Sequence, residues 1–391
     1  MNELQAILDH WRKAQETNQD AVLATVVHVT GSAYRRPGAR MLMLPDGSRI
    51  GSISGGCLEG DVSQKAWWLT EDGKPALRVY DTMSEEDIVW EFGLGCNGII
   101  QVLVERVGSG AACEALRFLD ECRARKTDAV ICTVVRSSGE NAPEVGARLH
   151  MSEGKACGGS LASTALETAL LQHCERAALE RKGRLARLEN CEVFVEYVGQ
   201  PLPLVIFGAG HDAIPLVNIA KQVGWHVTVA DGRPAYAKAN RFPQADNVVH
   251  IRPADLLAGL DIGPQTVVVL MTHNYPQDGK LLQRILPRNP RYLGLLGPKA
   301  RTERLFKELG VTLDEGVLNA PVGLDIGADT PESIALSIAA EIQAVISSRQ
   351  GGMLKHREDS IHAPVIEEGK PAQPDSERIR FEFGCELASS N

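Results

Sequence analysis

Two thiols set among glycines are the residues of this chain best suited to chemistry. Cys57 lies in Gly51-Ser-Ile-Ser-Gly-Gly-Cys-Leu-Glu-Gly-Asp61, where a run of small residues turns into a helix with Glu59 near its start. Cys96 lies in a second glycine-bracketed turn, Gly93-Leu-Gly-Cys96-Asn-Gly98. Glycine lets backbone approach a ligand closely, and a helix N-terminus favours anions and lowers a thiol's pKa. The candidate binding residues are therefore Gly55, Gly56, Cys57, Glu59, Cys96 and Asn97. Arg35 and Arg36, with Arg40 nearby, add cations that can hold an anionic group. The competing structural reading is a tight turn around a buried, inert cysteine.

A third glycine turn has a different character. The apolar run 201–207 leads into Gly208-Ala-Gly-His-Asp-Ala213, a helix is predicted over 213–223, and the next strand, 225–230, ends at Asp231. That is the spacing of a dinucleotide-binding βαβ unit, with an acid placed to meet a ribose hydroxyl. Gly208, Gly210, His211 and Asp231 are its candidate binding residues, and Arg233 leaves room for a ribose phosphate. His273, in Thr272-His-Asn-Tyr-Pro-Gln-Asp278, follows a later strand and is expected at the same sheet edge. Lys299 and Arg301 open a helix after another strand and suit either phosphate or water.

The elements that must position these residues fall into two blocks. A helix over 2–16 is followed by strands over 21–29, 39–44 and 49–53, a helix over 58–69, and strands near 77–80 and 99–107. The pattern then recurs. Asp20-Ala-Val-Leu-Ala-Thr-Val-Val27 matches Asp128-Ala-Val-Ile-Cys-Thr-Val-Val135, Gly38-Ala-Arg40 matches Gly146-Ala-Arg148, and Val102-Leu-Val-Glu105 matches Val193-Phe-Val-Glu196. Gly55-Gly-Cys-Leu58 aligns with Gly158-Gly-Ser-Leu161, so the second copy has Ser160 and Ala162 in place of Cys57 and Glu59. We therefore expect an α/β chain. A duplicated N-terminal domain over 1–198, with copies at 18–107 and 126–198, precedes a Rossmann-like parallel-sheet domain over 199–350. In that second domain strands are expected at 247–251, 266–271 and 292–296, and helices at 279–286 and 300–309. Thr330-Pro-Glu-Ser333 starts a final helix. The polar residues 351–391 read as a flexible tail or a partner-binding extension.

Composition narrows the function. The 391 residues are 44% hydrophobic and 23% charged, with a formal net charge of −9, which argues against a general nucleic-acid binder. No apolar run reaches membrane-spanning length, and the start is an amphipathic helix. Nine scattered cysteines without a C-x-x-C pair read as reduced thiols of a cytoplasmic protein, most of them core residues.

The order of Gly51-Ser-Ile-Ser-Gly-Gly-Cys-Leu-Glu59, Gly95-Cys-Asn-Gly98, Ile206-Phe-Gly-Ala-Gly-His211, Met271-Thr-His273, Gly294-Leu-Leu-Gly297 and Gly323-Leu-Asp-Ile-Gly327 resembles the XdhC/CoxI family of xanthine dehydrogenase accessory proteins. The resemblance covers residues 1 to about 348. It implies a chaperone that binds molybdenum cofactor (molybdopterin or its dinucleotide), supports its sulfuration, and hands it to an apo molybdenum hydroxylase of the xanthine dehydrogenase type. A cysteine desulfurase is a further implied partner, and a homodimer is implied for the protein itself. Under this reading Cys57 and Cys96 are soft ligands for the molybdenum or for a transferred sulfur. They are expected close together, in one cleft with Gly208, Gly210 and His273. The alternative is an NAD(P)-dependent oxidoreductase using the Rossmann domain, and a third reading is a pure adaptor. Two features depart from the family pattern: His211-Asp-Ala-Ile-Pro215 replaces a plainer small-residue run, and nothing matches the residues beyond Ser348.

Overall fold

The computed structural model describes residues 3–81, 98–108, 110–162, 164–310, 317–358, 361 and 366–368. These form two compact units, one of Glu3–Gln200 joined by 366–368, the other of Pro201–Ile361.

The N-terminal unit is built twice from one plan. Helix α1 (Glu3–Glu16) buries Ile7, Leu8, Trp11 and Ala14 along one face. It is followed by β1 (Val22–Gly31), β2 (Arg40–Met43), β3 (Arg49–Gly51), α2 (Glu59–Leu69), β4 (Ala76–Asp81) and β5 (Gly98–Arg106). The strands pair antiparallel in the order β3-β2-β1-β5-β4. The second copy runs α3 (Gly110–Arg125), β6 (Ala129–Ser137), β7 (Arg148–Ser152), β8 (Lys155–Gly158), α4 (Ala165–Glu180), β9 (Arg184–Arg187) and β10 (Cys191–Val198). Its order, β8-β7-β6-β10-β9, is the same. Each repeat thus begins with a helix. The strand matches in the sequence do not reach α3, although Ala112, Cys113, Leu116 and Leu119 give it a buried stripe.

Strand periodicity decides what each sheet face covers. Val22, Ala24 and Val26 pack with Leu58, Val62 and Ala66 at helix α2. Val130, Cys132 and Val134 pack with Leu170, Cys174 and Ala177 of α4. The alternate residues face the other repeat. Leu23 and Ile131 share a cluster with α1 and α3, while Val27, Leu103, Val135, Leu185 and Phe194 form another. A β-bulge falls at the same place in both copies, at Val27 and at Val135. The bulge turns each valine into the shared core.

Crossed ion pairs join the copies. Arg40 of the first reaches Glu196 of the second with Nη1–Oε1 at 2.8 Å and Nη2–Oε2 at 2.5 Å. Arg148 of the second reaches Glu105 of the first at 3.0 and 2.5 Å. Each arginine also donates, at 2.9 Å, to the carbonyl of the glycine two residues earlier, Gly38 or Gly146. Those glycines have φ of +96° and +85°, and an added Cβ would lie 2.8 or 3.2 Å from the partner carboxylate. The repeated Gly-Ala-Arg is therefore a socket for a carboxylate from the other copy. Arg40 is thereby committed to Glu196, not to an anionic ligand as its charge alone suggests.

The C-terminal unit comprises β11 (Pro203–Phe207), α5 (Ala213–Gln222), β12 (His226–Asp231), β13 (Asn247–His250), β14 (Val267–Leu270), α6 (Tyr275–Ile285), β15 (Tyr292–Leu295), α7 (Lys299–Leu309), β16 (Leu318–Asn319) and α8 (Pro331–Ile346). Its parallel sheet runs β13-β12-β11-β14-β15-β16, the doubly wound order. Buried on both faces, β14 is apolar throughout. Helix α6 starts earlier than the predicted 279, because the Asn274 side chain accepts from the Gln277 N–H at 3.1 Å and Pro276 fits the first turn. Thr330 and Ser333 form the capping box of α8.

The C-terminal extension departs from a flexible tail where it is described. The stretch 351–358, with Ile361, belongs to the second unit, where an added Cβ on Gly351 would lie 3.1 Å from Leu324. Ile366–Glu368 form β17, which pairs parallel with β9 in the N-terminal unit. Two glutamates facing buried and half-buried arginines fix it there. Residues 369–391 lie outside the described residues. Among those described, no helix is long and apolar enough to cross a membrane.

Removing one partner of a buried ion pair leaves an uncompensated charge, at a cost of about 3–5 kcal/mol. Glu105→Ala is therefore expected to destabilise the N-terminal unit by that amount in urea unfolding. Glu105→Leu combined with Arg148→Met should recover most of the loss.

Candidate functional site

The Cys57 loop is folded by its own carboxylate. Glu59, the first residue of α2, turns back over the loop and is 8% exposed. Its Oε1 accepts from the amides of Ile53 at 3.1 Å and Ser54 at 2.8 Å. Its Oε2 accepts from the Gly56 amide at 3.1 Å and from the Ser54 hydroxyl. The Ser54 oxygen in turn accepts from the amides of Gly56 at 3.2 Å and Leu58 at 3.1 Å. Burial alone would raise the Glu59 pKa, but the Ser54 hydroxyl and these amides more than offset it and hold the carboxylate below its ordinary value. The helix N-terminus thus already has its anion. Gly56, at φ +116°, has nothing within 4 Å of an added Cβ, whereas an added Cβ on Gly55 would meet the Tyr34 ring at 3.6 Å.

What the loop presents outward is the thiol. Cys57 is exposed, with Sγ 3.5 Å from the Ser54 oxygen, whereas Cys113, Cys122, Cys132, Cys174 and Cys191 are buried. The other exposed thiol among the described residues is Cys157, in β8, which the sequence patterns do not single out. Arg35 is already shared between Glu3 and Ser52, at 3.1 Å from the latter. Burial lowers the Arg36 pKa. Cys96 and Asn97 lie outside the described residues, and the expected pairing of the two thiols lies outside them as well.

The second copy revises the alignment of the loop. Gly51 and Gly159 both have positive φ, and an added Cβ on either would strike the carbonyl of the matching arginine, Arg40 or Arg148. Gly159 therefore occupies the place of Gly51, not of Gly56. The register then holds into the helices, where Val62 and Ala66 of α2 match Leu170 and Cys174 of α4, although α4 begins one half-turn sooner. At this register Glu59 falls opposite Glu167, the acid in the first turn of α4, and Cys57 falls opposite Ala165, so the carboxylate has a counterpart and the thiol does not. Identity of short glycine motifs draws the sequence match to the wrong pair.

In the C-terminal unit the glycine turn sits at the switch point of the sheet, between β11 and β14. Gly208, at φ +113°, is required because a side chain would run into the Met271 carbonyl. Asp231 is buried and accepts from the Ala209 amide at 2.7 Å, the Arg233 amide at 2.8 Å, and Arg233 Nε and Nη2 at 3.0 and 2.7 Å. Burial would raise its pKa, but these donors hold it low. A ribose hydroxyl would have to displace one of them. His211 is exposed. Asp212 covers Gly210, and its Oδ2 lies 2.6 Å from Nε2 of His273, itself 64% exposed and at φ +55°. Arg301 is tied at 2.6 Å to Asp278, whose Oδ1 takes the Thr272 hydroxyl at 2.5 Å. Of the two basic residues in the first turn of α7, Lys299 stays open to solvent, with Glu303 4.0 Å away.

Because the Glu59 pKa is depressed on folding, its contribution is present above the unfolded carboxylate pKa and is lost as pH falls through the folded value. Glu59→Gln puts an amide against the loop's N–H donors, with an expected loss of about 1–3 kcal/mol at neutral pH. In urea unfolding at a series of pH values, the gap between wild type and variant should close on acidification.

Comparison with known proteins matches this architecture. The XdhC Rossmann domain matches residues 204–342, and the XdhC and CoxI family model matches twice, at 14–81 and 122–189. A probable xanthine dehydrogenase subunit of Bacillus subtilis (strain 168) is 34% identical over 328 residues, covering 84% of this chain and 93% of that protein. The molybdenum cofactor insertion chaperone PaoD of Escherichia coli (strain K12) is 26% identical over 357 residues, covering 90% and 89%. A crystal structure described as a xanthine dehydrogenase (BH1974) from Bacillus halodurans superposes with a TM-score of 0.74 at 33% identity, covering 90% of this chain and 98% of that one. The two family matches together take in more than half of the chain, on both the duplicated and the doubly wound unit, and the chain belongs to the XdhC and CoxI family.

Proposed function

We propose that this protein is an accessory factor that binds molybdenum cofactor and supports its insertion into an apo molybdenum hydroxylase of the xanthine dehydrogenase type. The observation that carries the reading is the exposed Cys57 thiol on a loop whose neighbouring amides are taken up by Glu59 and Ser54. Among the described residues no three of His, Cys, Asp and Glu gather to hold a metal ion. A single soft sulfur suits a metal that brings most of its own ligands, as the molybdenum of a dithiolene cofactor does. When bound, the cofactor would supply the oxidation chemistry of the client enzyme. This chain's part is to hold it. Cys57, with Cys96 as the second thiol, offers sulfur to the metal or carries a sulfur atom destined for it. Open space over Gly56 admits a ligand, Arg36 is the candidate for its anionic end, and Arg35 joins it only on leaving Glu3. Relatives named as a xanthine dehydrogenase subunit and as a cofactor insertion chaperone support the same reading. A cysteine desulfurase as sulfur donor and a homodimeric state extend the proposal.

Use of the Rossmann unit for NAD(P) ranks second. Asp231 is already engaged by Arg233 and the Ala209 amide, and the Asp212 carboxylate covers the glycine a pyrophosphate would approach.

The test is purification from cells that make molybdopterin, followed by fluorescence of the oxidised pterin. Wild type should carry pterin and Cys57→Ala should lose at least about ten-fold, the scale of one lost metal-supporting contact. No pterin on the wild type, together with tight NAD(P)H binding titrated in parallel, would reverse the ranking.

A further inference from the structure

The edge of the second sheet carries a charged seat that the proposed function does not use. Strand β17 adds to β9 in parallel, pairing Ile366, Glu367 and Glu368 with Arg184, Leu185 and Ala186. Three residues make a short ladder, so side chains must supply much of the hold. Glu368 receives Arg184 at 2.6 Å, Arg176 at 2.7 Å and His173 at 2.5 Å. Glu367 meets Arg187 at 2.7 Å and, from the first repeat, His28 at 3.2 Å. Arg184 is fully buried, and its other partner is Glu180 at 2.9 Å.

The duplication provides an internal control for this seat. Through their pairing with β5 and β10, Ala76 of β4 stands where Arg184 stands in β9, and Val79 stands where Arg187 stands. The equivalent sheet of the first copy ends at β4, with no sixth strand among the described residues. Leucines at the shared core position, Leu77 and Leu185, are kept in both. The fold itself therefore needs the leucine and does not need the arginines. The cations occur in the copy that carries the acidic strand.

We propose that the β9 edge is a receptor for an acidic extended strand, and that this chain's own Ile366–Glu368 occupies it as a releasable clasp. With the clasp withdrawn, Arg184 keeps Glu180 as its one carboxylate, so the empty seat selects a replacement strand carrying carboxylates at adjacent positions.

Hydrogen exchange of the full chain, followed at the outward-facing amides of β9, tests the clasp. Glu367→Gln/Glu368→Gln should exchange there at least about ten-fold faster than wild type, a local opening with the rest of the protein unchanged. Arg187→Gln, which leaves Glu368 and Arg184 paired, should give an intermediate rise. A fluorescent peptide of residues 363–370 should bind the double variant at least about ten-fold more tightly than wild type, and a peptide with both glutamates changed to glutamine should bind neither. Unchanged exchange in the double variant would overturn the proposal, as would equal capture of the acidic peptide by wild type. Protection in the wild type that falls on dilution would assign the strand to a second copy of the chain and would overturn the clasp in cis.

Discussion

Each half of the N-terminal unit completes the other through an arginine and a glutamate. Arg40–Glu196 and Arg148–Glu105 are related by the internal duplication, and both sit where the two sheets face. Burying charge is costly, and an ion pair repays that cost only with good geometry and further hydrogen bonds. Both conditions are met: each pair is two-pronged, and each guanidinium also donates to a glycine carbonyl. Slipping one sheet against the other would strand four buried charges. The pairs therefore specify how the repeats meet, while the valines at the two bulges and the aromatic ring of Phe194 fill the space between them. The position of the Cys57 loop rests on this arrangement, because β2, β3 and α2 all hang from the first of these sheets.

Much of this is legible in the sequence, and the misses share a cause. Period-two and period-3.6 patterns locate the strands and most helices, and the repeat, the Rossmann turn and its acid lie in local motifs. What local motifs do not encode is a partner far along the chain. Arg40 looks available for a ligand because Glu196 is 156 residues away. The Cys57 loop looks like a variant of the turn at Gly158 because glycine pairs match easily, whereas the place of Gly51 is set by the Arg40 carbonyl. The extension looks flexible because Glu367 and Glu368 read as polar tail until their cations are seen across the sheet.

The two glycine-rich turns singled out in the sequence that fall among the described residues are filled by carboxylates of the chain itself. Glu59 takes the amides of one, and Asp231 and Asp212 occupy the other. A turn rich in glycine is usually read as a cradle waiting for an anion. In this protein the anion is built in, and what each turn exposes is a side chain: a thiol at Cys57 and an imidazole at His211, with His273 beside it on Asp212. The chemistry on offer is that of sulfur and nitrogen donors more than that of phosphate binding.

The parallel pairing of β17 with β9 has a consequence for synthesis. Glu368 lies 184 residues after the arginine it neutralises. A nascent chain folding from its N-terminus will have made both repeats and the whole Rossmann unit before the last strand of the second sheet leaves the ribosome. Throughout that interval Arg184 is without its main carboxylate. The N-terminal unit thus begins folding before the Rossmann unit and finishes after it, and a chain cut short of Ile366 would feel the loss in a sheet begun far upstream, at Ala129.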